Sequence, residues 1–192
     1  MSSLRLNIIV AMTGENGIGF RNTLPWFLPK ELRNFAKLTK DCEDKQKQNA
    51  VIMGRNTWES IPAKNRPLKD RLNVVLSSSL KEIDDGVLLC PRLNDALTLL
   101  DDQYREKIDK VWIIGGARVY QDALQLSNCH KLFITHIQDN FECDVFFPQV
   151  PEDFQITSSS ESVEENGTKY NYQIYERKPD DQTNGTSTEL NS

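Results

Sequence analysis

The sequence predicts a single α/β domain with a mostly parallel central β-sheet, an antiparallel C-terminal edge strand and about four flanking helices. Three observations predict it. Short, nearly unbroken apolar runs recur along the chain, the mark of strands buried on both faces, and several lead into helical patterns as in βαβ units. The segment Tyr170–Arg177 (YNYQIYER) instead alternates rings with polar residues, as a half-buried antiparallel edge strand does. The length of 192 residues suits one core, and neither an internal repeat nor a change of composition marks a second domain. Residues 1–178 are therefore expected to form the domain, and 179–192 (PDDQTNGTSTELNS) a polar, disordered tail.

Leu6–Met12 (LNIIVAM) is the first buried strand, and it ends in Thr13-Gly14-Glu15-Asn16-Gly17-Ile18-Gly19, where glycines relax the backbone limits. Leu24-Pro25-Trp26 reads as a tight turn into a helix holding Pro29 in its first turn, where the first N–H groups lack intrahelical partners anyway. Leu28, Leu32, Phe35 and Leu38 fall at helical spacing and are expected to share one inward face, with Glu31 on or beside it. A carboxylate among Trp, Leu and Phe resists ionisation, which suits an acid or an anion holding a cationic heterocycle. The plainer alternative is a helix-start glutamate favoured by the dipole. Residues 40–48 are a polar connector.

The same pattern then repeats. Ala50–Met53 is a strand followed by Gly54-Arg55-Asn56-Thr57-Trp58 and a short helix; Leu72–Ser77 is a strand ending in serines. Val87–Cys90 is a strand followed by Pro91-Arg92 and a helix expected to be capped by Asn94. Val111–Ile114 is stopped by Gly115-Gly116 before a helix from Ala117 to about Leu124, and Lys131–Ile137 is another strand. Val163–Lys169, with Asn166-Gly167, is expected to turn into the final strand.

Composition narrows the function classes. A net charge of −5 argues against general nucleic-acid binding. The apolar run near Met1 is short and broken by Arg5 and Asn7, so no secretory leader is expected, and no run approaches a membrane span. Cys42, Cys90, Cys129 and Cys143 lack CxxC spacing, and His130 and His136 stand without partners at ligand spacing; free thiols in the cytosol and no metal site are the expectation. The Asn-Gly-Thr triplets at Asn166 and Asn184 read as turns.

Four strand-to-helix junctions carry groups that suit phosphate. Gly54-Arg55-Asn56-Thr57 offers helix-start N–H groups and a guanidinium, Ser77-Ser78-Ser79 offers hydroxyls, Arg92 adds a guanidinium, and Gly115-Gly116-Ala117 admits close backbone approach. Singly, each is as readily a turn or a surface charge. Together, at one edge of a sheet, they point to a dinucleotide carrying an extra phosphate. No GxGxxG fingerprint is present, so the arrangement is not the usual Rossmann one. Arg71 stands directly before a strand, where it could grip a ligand carboxylate in bidentate fashion or simply pair with a nearby Asp or Glu.

An ordered series of motifs resembles the dihydrofolate reductases of the eukaryotic type, over residues 4–178. The series runs Gly17-Ile18-Gly19, Leu24-Pro25-Trp26, Val51-Ile52-Met53-Gly54-Arg55 with Thr57-Trp58, Ser60-Ile61-Pro62, and Asn65-Arg66-Pro67-Leu68 with Arg71. It continues through Trp112-Ile113-Ile114-Gly115-Gly116 with Val119-Tyr120 and closes on Phe141–Pro148 (FECDVFFP).

The resemblance implies reduction of 7,8-dihydrofolate to tetrahydrofolate with NADPH, in support of one-carbon metabolism and thymidylate synthesis, with antifolates such as methotrexate as inhibitors. It also implies a monomer with no membrane or nucleic-acid partner. Glu31 matches the family's active-site carboxylate; Trp26 and Thr135 match residues that order it and its water; Tyr120 lies near the nicotinamide. Ile9, Ala11, Leu24, Phe35, Ile61, Leu68 and Ile114 match the apolar walls around the substrate, with Ser60 beside them, and Asn65 and Arg71 match the grip on the glutamate tail. Cofactor contacts fall on Ala11, Ile18, Gly19, Gly54, Arg55, Asn56, Thr57, Leu76, Ser77, Ser78 and Arg92, then on Gly115, Gly116, Ala117, Arg118, Val119 and Tyr120. The family's Gly-Gly pair is joined by a cis peptide, and Gly17–Thr23 corresponds to a mobile loop closing over the nicotinamide.

This chain departs from the pattern in places. Phe27-Leu28-Pro29 stands where vertebrate relatives have Pro-Pro-Leu, the segment to Thr39 is one residue shorter, and Asn34 replaces a frequent aromatic. Ser78 replaces a basic residue near the cofactor's 2′-phosphate, which leaves Arg55 and Arg92 to supply the charge; NADPH is still the expected cofactor. The alternatives are a pyrimidine reductase of riboflavin synthesis, which should lack the run from Leu24-Pro25-Trp26 to Glu31, and a catalytically silent folate- or nucleotide-binding module, free to lose Glu31 or the glycine pair.

Overall fold

The computed structural model describes residues 4–179. The tail read above as disordered lies outside the described residues from Asp180 onward. Within them the chain runs β1 (Leu6–Thr13), β2 (Gly17–Gly19), α1 (Pro29–Lys40), β3 (Gln48–Gly54), α2 (Arg55–Ser60), β4 (Arg71–Leu76), β5 (Leu88–Cys90) and α3 (Leu93–Leu99). It continues through β6 (Ile108–Ile113), α4 (Ala117–Leu124), β7 (Cys129–Ile137), β8 (Val145–Phe146), β9 (Phe154–Ser159), β10 (Val163–Glu165) and β11 (Thr168–Arg177).

The main sheet has the order β10-β11-β7-β1-β6-β3-β4-β5, with β9 also on β11. All pairs from β7 to β5 are parallel, and β11 pairs antiparallel with β7. The antiparallel margin is broader than one strand, because β9 and β10 lie along the outer side of β11. Both are short or exposed beyond Phe154 and carry no apolar run, so the sequence offered little to find them by. The β10–β11 connection is the expected turn: Asn166 (φ 51°) and Gly167 (φ 80°) both take left-handed backbone, as a two-residue hairpin requires.

Two-residue periodicity divides the core. Leu6, Ile8, Val10 and Met12 of β1 face a cluster built with Leu97, Ala123 and Leu124 of α3 and α4. Ile9 faces the opposite layer with Trp58, Trp112 and Ile114, against which Phe35 and Leu38 of α1 pack. The predicted helix α1 forms with Leu28, Phe35 and Leu38 turned inward and Glu31 buried beside them, as expected, but Leu32 is 55% exposed. Leu28 is buried before the first helical turn. The start of α3 also differs from expectation. Arg92, not Asn94, occupies the cap position, and no side chain caps the helix, because it starts two residues earlier, at Leu93.

The four helices leave the carboxyl ends of the parallel strands on one side. There β3 and β6 are locked by the Gly54 N–H donating to the Gly115 carbonyl (2.8 Å) and the Ile114 N–H to the Ile52 carbonyl (3.0 Å). Chain crossovers diverge around this point, which is where open α/β sheets form crevices.

Candidate active site

A single cleft of about 1630 Å³ opens at those strand ends. Helix α1 forms one wall with Glu31, Leu32 and Phe35; Ile9 and Ala11 come from β1 and Ile114 from just past the end of β6; Ile61, Asn65, Leu68 and Arg71 close the far end. The four junctions meet in the same cleft through Gly54–Thr57, Ser77–Ser79, Arg92 and Gly115–Val119. All the expected site residues line it, Leu24, Ser60, Ile18, Gly19, Leu76, Ser78, Arg118 and Tyr120 among them, except Thr135 and Trp26.

Glu31 is buried, and its Oε1 accepts the Thr135 hydroxyl at 3.0 Å. Burial pushes its pKa above the ordinary glutamate value; the Thr135 bond works against that rise, and the nearby Glu165 carboxylate adds to it. Thr135 thus sits behind the carboxylate. Trp26 is buried elsewhere, against Leu28, Ile137 and Tyr170 and edge-on to Phe141 at 5.6 Å, and its indole N–H has no partner among the described residues. Tyr120 is buried, donates its hydroxyl to the Ile9 carbonyl at 2.9 Å, and has its pKa driven upward by burial and by Glu31. It is a fixed wall group and not a proton donor at neutral pH.

Arg71 is nine-tenths buried at the other end. Its Nη1 donates to Thr39 Oγ1 (2.8 Å) and its Nε to the Lys69 carbonyl (3.0 Å). Of the two readings left open by the sequence, the protein salt bridge does not form: no carboxylate among the described residues lies within ion-pair distance of it. Burial lowers its pKa from the usual arginine value. Arg55 and Arg92 differ, since both are exposed and already paired, Arg55 with Glu59 (2.6 Å) and Arg92 with Asp95 (3.0 Å).

The glycine pair is joined by a cis peptide, and Gly115 has φ +119°, a conformation that side chains rarely adopt. A Cβ there would stand 3.2 Å from the Tyr120 hydroxyl, and one on Gly116 would stand 3.3 Å from Thr57 Oγ1. The loop after β1 is tied down by β2 pairing with β8, by the Arg21 N–H donating to Asp144 Oδ2 (3.0 Å) and by the Phe147 N–H donating to the Asn16 carbonyl (2.7 Å).

A family model described as "Dihydrofolate reductase" matches residues 5–177 of this sequence. The chain belongs to the dihydrofolate reductase family. A dihydrofolate reductase of Drosophila melanogaster is 45% identical over 181 residues, covering 91% of this chain and 98% of that protein. The Rattus norvegicus enzyme is 44% identical, covering 90% and 97%. Among solved structures, dihydrofolate reductase of Schistosoma mansoni superposes with a TM-score of 0.82 at 37% identity, covering 92% of this chain and all of that one. The chain is thus an enzyme of the oxidoreductase class, with the mixed α/β fold of a dihydrofolate reductase.

Some cleft residues of this dihydrofolate reductase were not picked out by sequence reasoning. Leu32, read from the sequence only as a core residue, lines the cleft, whereas Ser79, which belongs to the serine junction singled out above, accepts Arg55 Nη1 at 3.1 Å. Lys64 and Lys69 flank the Arg71 end, and as isolated surface lysines they carry no sequence signal.

Proposed function

We propose that the cleft reduces 7,8-dihydrofolate to 5,6,7,8-tetrahydrofolate with NADPH, in support of one-carbon metabolism and thymidylate synthesis. The observation that carries this reading is a buried carboxyl, Glu31 held by Thr135, sharing one cleft with an unpaired buried guanidinium, Arg71.

The residues at the sheet edge fit the dinucleotide. Gly54, Gly115 and Gly116 leave a cradle that Cβ atoms would fill, against Val119 and Thr57. The helices that start there, α2, α3 and α4, have no capping side chain, so their first N–H groups remain to be matched. When bound, the nicotinamide supplies the hydride.

The chain's own residues do the rest. Glu31 accepts the pterin's amino and ring N–H groups. Its raised pKa keeps a proton available at a pH where an exposed glutamate has lost it. The proton reaches the ring nitrogen beside the reduced carbon through water, with Thr135 fixing which way the carboxyl faces, and Trp26 belongs to the same supporting set. Ile9, Ala11, Leu24, Phe35, Ile61, Leu68 and Ile114 would hold the substrate's ring system and exclude bulk water, with Ser60 beside them. Tyr120 forms the floor near the nicotinamide. Asn65 and Arg71 hold the tail carboxylates. Arg55, Thr57, Ser77, Ser78 and Arg92 take the cofactor phosphates, and the extra phosphate makes NADPH preferred over NADH. The segment Gly17–Thr23 closes over the nicotinamide. Antifolates that present a pterin-like ring to Glu31, methotrexate among them, are inhibitors. The enzyme is a monomer of the cytosol with small-molecule ligands only.

The test is NADPH oxidation, followed by absorbance with and without dihydrofolate, for wild type and Glu31→Gln across pH. Dihydrofolate-dependent oxidation that collapses in the variant at neutral pH supports both the reaction and the carboxyl. Activity surviving in the variant moves the acid elsewhere. Tight NADPH binding without oxidation in the wild type would make the chain a silent binder and sink the proposal.

A further inference from the structure

Helix α1 carries Glu31 at its third position but does not cap itself. The residue before it is Leu28, which has no polar side chain, and Pro29 has no N–H, so Lys30 presents the first donor of the helix. That donor is met from a distant part of the chain. The carboxylate of Glu165, the last residue of β10, accepts the Lys30 N–H with Oε1 at 2.8 Å and Oε2 at 3.1 Å. Its Oε2 also accepts the Tyr170 hydroxyl at 3.1 Å, and the residue is buried. The next residue, Asn166, donates its Nδ2 to the Phe27 carbonyl at 2.9 Å. Two adjacent residues of one hairpin therefore grip the chain on either side of Leu28–Pro29, immediately before the catalytic carboxyl.

We infer that Glu165, with Asn166, is a positioning residue for the reaction: the β10–β11 hairpin caps α1 in trans and thereby sets where the Glu31 carboxyl stands. A helix start is the part of a helix most prone to fray, and Glu31 lies in that first turn. Tied at Phe27 and Lys30, the turn presents Glu31 to Thr135 in one place. Beyond position, Glu165 contributes charge. The groups that face Glu31 electrostatically are Glu165 of β10, Tyr172 of β11 and Tyr120 of α4, with the Lys30 ammonium on its own helix lying toward Glu165. The tyrosines are neutral at assay pH, so the hairpin glutamate is the one anion acting on Glu31. Glu165 itself stays ionised: its burial works against that, but the N–H groups of Lys30 and Glu31 and the Tyr170 hydroxyl outweigh it and lower its pKa. The hairpin thus fixes a standing negative charge beside an acid whose task is to hold a proton.

The inference rests on the proposed role of Glu31, so its test includes a readout that does not depend on turnover. The Glu31 carboxyl is titrated by carbon-13 NMR in the full chain, its resonance assigned by its loss in Glu31→Gln, and kcat and KM are measured across pH in parallel. Glu165→Gln keeps an oxygen that can accept the Lys30 N–H but removes the charge. Its Glu31 midpoint is expected to move to lower pH, and the high-pH fall of kcat with it, while KM for NADPH stays at the wild-type value. Glu165→Ala should show the same shift plus a further loss in kcat of about tenfold, as the helix start is released. An unmoved Glu31 midpoint in Glu165→Gln removes the charge effect, and wild-type kcat in Glu165→Ala overturns the inference. Should that variant not fold, Asn166→Gly, which keeps the left-handed backbone, reads position alone: kcat is expected to fall several-fold with the Glu31 midpoint unmoved, and wild-type kcat there overturns the inference. A wild type inactive toward dihydrofolate would refute the proposed function, and the NMR titration would still decide the role of Glu165.

Discussion

Replacing Arg71 by leucine separates two properties that the structure gives to one side chain. The guanidinium is nine-tenths buried and uses only its Nη1 and Nε, on Thr39 and the Lys69 carbonyl. No carboxylate among the described residues lies within ion-pair distance of it, and the proposed function gives it the carboxylate of the substrate's tail as partner. Truncating one side of a buried, hydrogen-bonded charge pair costs about 2–5 kcal/mol, so KM for dihydrofolate should rise between about 30-fold and several thousand-fold. The free protein should lose nothing. Thr39 keeps its bond to the Phe35 carbonyl (2.8 Å), the carbonyl of exposed Lys69 can turn to water, and a buried unpaired charge is gone. The assay is kcat/KM with dihydrofolate and with a dihydropterin lacking the glutamyl tail, alongside thermal melting without ligand. The truncated substrate should be turned over by the variant within about threefold of wild type, since a buried charge with no partner on the ligand contributes little to its binding. An equal loss for both substrates, or a clearly lower melting temperature, would refute the reasoning, because Arg71 would then be supporting the fold and not the tail.

Three further outcomes are expected. Glu31→Gln should be more stable than wild type at neutral pH although it is less active: the folded-state pKa of Glu31 is raised, so its contribution to stability is full below the unfolded value near 4.5 and is lost as pH rises through the folded one. Melting curves against pH should show the gap closing toward pH 4, each kcal/mol being worth roughly 2–4 °C at this length; a variant less stable at pH 7 contradicts this. Gly115→Ala forces a Cβ into φ +119° and within 3.2 Å of the Tyr120 hydroxyl, so it should cost about 1–3 kcal/mol and weaken NADPH binding, both read by calorimetry. Arg55→Ala and Arg92→Ala should each raise KM for NADPH by about tenfold, the worth of a charge-assisted bond, and leave KM for NADH nearly unchanged; an equal rise for NADH removes them from the extra-phosphate site.

The buried strands were legible because each is a run of apolar residues satisfying both faces of a parallel sheet, and Gly115-Gly116 stood out because nothing else ends a strand that way. The junctions were legible for the same reason, since strand ends in such a sheet converge whatever their separation in the chain. What the sequence hid were relations between distant polar atoms. Glu31 was expected on or beside the inward face of α1 and is buried there, but apolar spacing could not show that Leu32 stays exposed, nor that the hairpin meets Phe27 and Lys30. Asn94 looked like a cap by residue type, yet the helix starts two residues earlier, behind Arg92 and without a capping side chain. Arg71 could not be told from a salt-bridged arginine until its surroundings were seen to lack a carboxylate.

The distribution of charge pairing completes the argument. Lys40 with Asp70, Lys131 with Glu176 and Arg177 with Asp153 are matched within the chain, and so are the exposed arginines at the phosphate junctions. Glu31 and Arg71, both buried in one cleft, have no partner of opposite charge within ion-pair distance among the described residues. Burying an unpaired charge is unfavourable, so two such groups weaken the fold unless a ligand reaches both. Under the proposed function that ligand carries hydrogen-bond donors on a ring at one end and a carboxylate at the other, with a length that spans the apolar walls between them. A folate has this form, whereas a pyrimidine or a bare nucleotide would leave one of the two groups unmatched, so the proposed substrate choice rests on the two groups that the protein leaves without an ion-pair partner.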